Sequence, residues 1–81
     1  MSENVSPEAA EHLVQDVSNR YVEQIMKEQR ASAPDPERLK DLKEGLAACA
    51  VDLETLLDAG PEEVAEIAAR YAALAQELEG P

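Results

Sequence analysis

Apolar positions recur along this chain at alternating spacings of three and four. Between Asp35 and Glu79 they form two runs. The first is Leu39, Leu42, Leu46, Cys49, Leu53 and Leu56, and the second is Val64, Ile67, Tyr71, Leu74 and Leu78. Each places a narrow apolar seam on one face of a helix. Ala59, Gly60 and Pro61 separate the runs, too short a link for anything but a turn. The pattern therefore predicts two helices, about 36–58 and 61–79, joined at 59–60 and folded back as an antiparallel hairpin.

A third helix is predicted upstream. Ser6 and Pro7 are an N-cap and a first helical residue. From there Ala10, Leu13, Val14, Val17, Tyr21 and Ile25 share about a third of the circumference. Val22 and Met26 widen this stripe toward the C-terminal end, as if it touched two neighbours. The helix is expected over about 7–30. Residues 31–35 then form a break, because Pro34 and Pro36 cannot continue it. Asp35 caps the second helix. Residues 1–6 are expected to be a flexible tail, and Gly80 and Pro81 to end the third helix. The fold class is thus all-α: one domain over 7–81, a small bundle of one N-terminal helix plus a helical hairpin.

Dimerisation enters as a way to complete that bundle. Ala47, Ala48, Cys49, Ala50 and Val51 make the second helix apolar all round, which implies a contact beyond its hairpin partner. Helix 1 or a second chain would supply it; Tyr21, Val22, Ile25 and Met26, together with the two seams, are the candidate helix-seam or dimer-interface residues. On the third helix Ala65, Ala68, Ala72 and Ala75 form a small-residue ridge that permits close approach. The pairs Asp16–Arg20, Glu23–Lys27 and Glu66–Arg70 have the favourable i,i+4 order.

Charge narrows the function. There are 18 acidic and 7 basic residues among 81, a formal net charge of −11. Such a field opposes phosphate and anionic lipid and suits a basic protein partner, so neither direct nucleic-acid binding nor a membrane is expected. No apolar run approaches the roughly 20 residues that span a bilayer, and Met1 to Ser6 lack a signal-peptide pattern. A cytoplasmic setting with Cys49 as a thiol is the expectation.

The most informative polar stretch surrounds the turn. Asp52, Glu54, Asp58, Glu62, Glu63 and Glu66 lie between Lys43 and Arg70, with no Lys or Arg among them. Glu62 and Glu63 suit a helix N-terminus. Asp52, Glu54 and Asp58 sit toward a helix C-terminus, which prefers cations, and so mark a candidate docking face. No calcium-loop pattern accompanies them. His12 stands between Glu8 and Asp16 on one helix face, a set read as surface ion pairing ahead of a metal site. Cys49 falls on a seam and reads as core, as do Tyr21 and Tyr71, whose hydroxyls need partners. There is no catalytic triad, phosphate loop or walled pocket, so no enzyme activity, metal or cofactor is expected.

These features predict a non-catalytic, acidic interaction module: an adaptor, assembly or regulatory subunit presenting helix faces to a protein with a basic or apolar groove. The alternative is an electrostatic inhibitor, antitoxin-like or a DNA mimic, whose acidic face blocks a basic nucleic-acid-binding surface.

Overall fold

The computed structural model describes residues 6–79, so residues 1–5 of the tail expected over 1–6 and the stop at Gly80 and Pro81 lie outside the described residues. Three helices make up the fold: α1 (Pro7–Arg30), α2 (Pro36–Asp58) and α3 (Pro61–Glu79). Their bounds follow from local chemistry. The Ser6 hydroxyl accepts the Ala9 N–H at 3.0 Å, and Pro7 needs no partner for a missing N–H. Asp35 caps α2 by accepting the Glu37 N–H at 3.0 Å. At the second turn, Ala59 is extended and the Gly60 carbonyl takes the Val64 N–H at 2.9 Å.

α1 lies along the hairpin and packs on both of its arms. It runs antiparallel to α2: Pro7, Glu8 and Glu11 adjoin Leu53, Leu56 and Leu57, whereas Glu28 reaches Asp35 and Arg38 at the other end. It runs parallel to α3, with Arg20 pairing with Glu79 at 3.3 Å and Gln24 donating to the Leu78 carbonyl at 3.1 Å. The same Gln24 accepts from Arg38 at 3.0 Å, so one amide bridges all three helices. Helix α1 thus folds onto its own hairpin.

The core joins Ala10, Val14 and Val17 of α1, each fully buried, to Cys49 and Leu56 of α2 and to Val64, Ile67, Ala68 and Tyr71 of α3. Leu13, Tyr21, Leu53, Leu74 and Leu78 pack around it. Ile25 and Leu42 are buried outside that cluster. Both predicted seams therefore face inward. They meet chiefly through α1, since the backbones of α2 and α3 approach each other closely over little of their length. The small residue at position 10 and the β-branched pair at 14 and 17 let α1 fill the space between the arms.

Three packing expectations are corrected. Helix α1 does meet two neighbours at this end, through Gln24, but Val22 and Met26 stay 40% and 44% exposed because neither arm covers their side of the helix. Around α2 only Cys49 of the apolar girdle is buried; Ala47, Ala48, Ala50 and Val51 face water, since α1 and α3 both approach from the seam side. On α3, Ala68 is buried and Ala75 partly so, but Ala65 and Ala72 are exposed. A body measuring 50 × 26 × 16 Å on its Cα atoms cannot cover the outer side of any helix.

Candidate functional site

Seven of the 18 acidic residues share one end of the bundle. The N-terminus of α1, the C-terminus of α2 and the N-terminus of α3 meet there. They bring Glu8 and Glu11 against Leu53, Leu56 and Leu57, at the same end of the bundle as Glu54 and Asp58 on α2 and Glu62, Glu63 and Glu66 across the turn. All seven are exposed, and none forms an ion pair among the described residues. Between α1 and α2 at this end lies a shallow cleft lined by Pro7, Glu8, Glu11, Leu53, Leu56 and Leu57. Leu57 is 80% exposed, the most exposed large apolar side chain described. The sequence pattern missed Glu8 and Glu11 as members of this set. They are remote in sequence and adjoin it only because α1 runs antiparallel to α2.

Asp52 belongs elsewhere. Its carboxylate accepts the Tyr71 hydroxyl and lies 3.8 Å from Arg70, with only 16% of the side chain exposed. It is a cross-link between α2 and α3, not part of the open acidic face, and the burial of Tyr71 requires it. Arg70, predicted to pair with Glu66, turns to Asp52 and lies 5.8 Å from the Tyr71 ring centroid. Glu23 and Lys27 form no pair either, whereas Asp16 and Arg20 meet at 3.5 Å as expected.

Around Asp52 sits a small polar cluster within the packed helices. Burial first, and then the hydrogen bond to Asp52, hold the Tyr71 hydroxyl well above its ordinary range. Burial likewise pushes the Cys49 thiol up, with the Tyr71 hydroxyl pulling part of the way back and the Asp52 charge adding to the rise. Tyr21 is raised by burial and then by Cys49 and Glu77. A raised, buried thiol is a poor nucleophile, and the cluster's hydrogen bond and ion pair link α2 to α3. Gly45 completes it: a methyl group there would lie 2.7 Å from the Tyr21 hydroxyl and closer still to its ring.

Removing the Asp52 carboxylate strands a buried hydroxyl. Asp52→Ala is expected to cost about 1 kcal/mol in urea unfolding, with most of it recovered by Asp52→Asn, which keeps an acceptor. Equal loss in both variants would assign the effect to charge alone.

His12 is exposed, and Asp16, one turn on, is engaged with Arg20. Among the described residues no three His, Cys, Asp or Glu side chains are grouped to hold a metal ion, and no helix is long and apolar enough to cross a membrane. No protein-family model, curated protein or solved structure matches the chain.

Proposed function

We propose that this chain is a non-catalytic protein-interaction module that works through the acidic end of its bundle. Its partner is a protein segment carrying basic residues around an apolar anchor. The observation behind this reading is the exposed Leu57 in a cleft whose rim bears unpaired carboxylates. Apolar contact there would supply affinity, and the carboxylates would select against acidic competitors and speed encounter. A regulatory or assembly role fits a surface of this kind, in a cytoplasmic setting where Cys49 stays a thiol.

The second reading is an electrostatic inhibitor that covers a basic nucleic-acid-binding surface. It is favoured by the lack of any Lys or Arg among the seven converging carboxylates. The two readings differ in what Leu57 does. A synthetic Lys/Leu amphipathic peptide, titrated against labelled protein by NMR, is expected to shift amides around Glu8, Glu11, Leu53 and Leu57. Leu57→Ser should weaken binding about fivefold at fixed salt. Binding that ignores Leu57→Ser but collapses with salt supports the inhibitor. Shifts that follow every exposed acid, Glu44 and Glu77 included, would reject both.

A further inference from the structure

The outer face of α2 carries a second heptad-spaced row that the intramolecular core leaves uncovered. Pro36, Lys40, Lys43, Ala47, Ala50, Glu54 and Leu57 follow one another at spacings of four and three. All seven are exposed, and neither the two lysines nor Glu54 forms an ion pair among the described residues. A shallow, open groove with a mostly apolar lining follows the N-terminal half of this row, between side chains of α2 alone: Pro36, Leu39, Lys40, Lys43, Glu44 and Ala47.

The row has an internal symmetry. Reversed end for end about the point between Ala47 and Ala50, it becomes its own complement. Ala47 then faces Ala50, Lys43 faces Glu54, and Lys40 falls beside Leu57 and Asp58. We propose that α2 pairs antiparallel with α2 of a second copy of this chain, forming a two-fold homodimer through this face. The alanines at the centre permit close approach of the two backbones. Leu57 of each copy enters the groove beside Leu39 of the other. Four lysine–carboxylate pairs flank the axis, because a two-fold contact makes each pair twice.

Charge complementarity selects a second copy over an unrelated apolar partner. Two lysines occupy one half of the row, and Glu54, with Asp58 beside Leu57, the other, an arrangement that complements itself when the helix meets its own reverse. The pairing also resolves a mismatch within α2. Asp58 stands in the last turn, where the helix dipole disfavours an anion, and α2 has no basic residue there. In the dimer the N-terminal end of the other α2, with Lys40, lies alongside it.

This dimer does not rest on the partner reading above, although Leu57, Glu54 and Asp58 would serve both. Lys40 and Lys43 serve only the dimer, so the two proposals fail separately. Sedimentation velocity on the full chain, from micromolar to millimolar concentration, is the test. Wild type should approach the dimer mass within that range. The variants K40E/K43E and E54K/D58K should each stay monomeric, weakened by more than about tenfold, since like charges then face each other. Their effects on net charge are opposite, so general repulsion would weaken one and strengthen the other. Two further samples should restore pairing: the quadruple swap K40E/K43E/E54K/D58K with itself, and an equimolar mixture of the two double variants. All four positions are exposed, and unchanged helical circular dichroism will show that each variant folds. A wild type that stays monomeric at millimolar concentration overturns the proposal, as does dimerisation that survives in both double variants.

Discussion

Gly45→Ala is expected to destabilise the protein by about 1–2 kcal/mol, although alanine is the better helix former. In an isolated helix the change would gain about 1 kcal/mol. Here the added methyl meets the end of the Tyr21 ring, with no approach longer than 2.7 Å to the three nearest ring and hydroxyl atoms. Overpacking of this kind typically costs about 1–3 kcal/mol. Tyr21 is partly buried and packs against the core cluster, so a shift of its ring tip disturbs that packing. Thermal and urea unfolding measure the loss, a fall in Tm of roughly 5–15 °C for a domain this size. Tyr21→Leu supplies the decisive background. With the ring gone, the same Gly45→Ala change should become neutral or stabilising, and the double-mutant cycle should show coupling above about 1 kcal/mol. Gly60→Ala is the control. Nothing lies within 4 Å of a methyl there. The stability should stay within about 0.5 kcal/mol of wild type. A Gly45→Ala variant as stable as wild type in both backgrounds would show that the ring moves aside freely.

The contrast between these glycines shows what the sequence makes legible. Gly60 announces itself, because a glycine before a proline between two periodic runs is a turn signal that needs no tertiary knowledge. Gly45 carries a signal too, a costly residue inside a 23-residue helix, but its reason lies in a tyrosine 24 positions away on another helix. Helix bounds and seams were readable because caps and spacing are local. What the seams touch was not. Heptad spacing on α2 and α3 says that each has an apolar face; it does not say that α1, with its alanine and two valines, is the element that both faces meet. Asp52 illustrates the same limit. In sequence it is one of six acids without a nearby base. Only the hairpin register shows that it receives the Tyr71 hydroxyl and the Arg70 charge. Glu8 and Glu11 move in the opposite direction, from helix-dipole residues to the rim of the candidate surface, for the same reason.

Those tertiary contacts also set how the fold responds to alkali. The protein is expected to lose stability steeply above about pH 9, with tyrosine ionisation tied to helix loss. Cys49, Tyr71 and Tyr21 all hold their protons more tightly when folded, burial being the first cause in each case. The sign follows directly. Below the ordinary values of 9.0 for the thiol and 10.0 for the phenols, both states carry these protons and the three groups leave stability unchanged. Above them the unfolded chain releases protons that the folded chain retains. Each group then lowers stability by up to about 1.4 kcal/mol per pH unit until its folded pKa is reached. Lysine neutralisation falls in the same window and adds negative charge, so the buried groups need their own control. Tyr71→Phe with Cys49→Ala removes two of the three and leaves every lysine in place. Its stability should fall less steeply with pH than that of wild type. The chain contains two tyrosines and no tryptophan, which makes tyrosinate absorbance a clean reporter. The Tyr71 share of that signal should rise together with the loss of helical circular dichroism. A normal tyrosine titration on an intact helical fold would mean that water reaches the Tyr71 hydroxyl, and that Asp52 does not hold it inside.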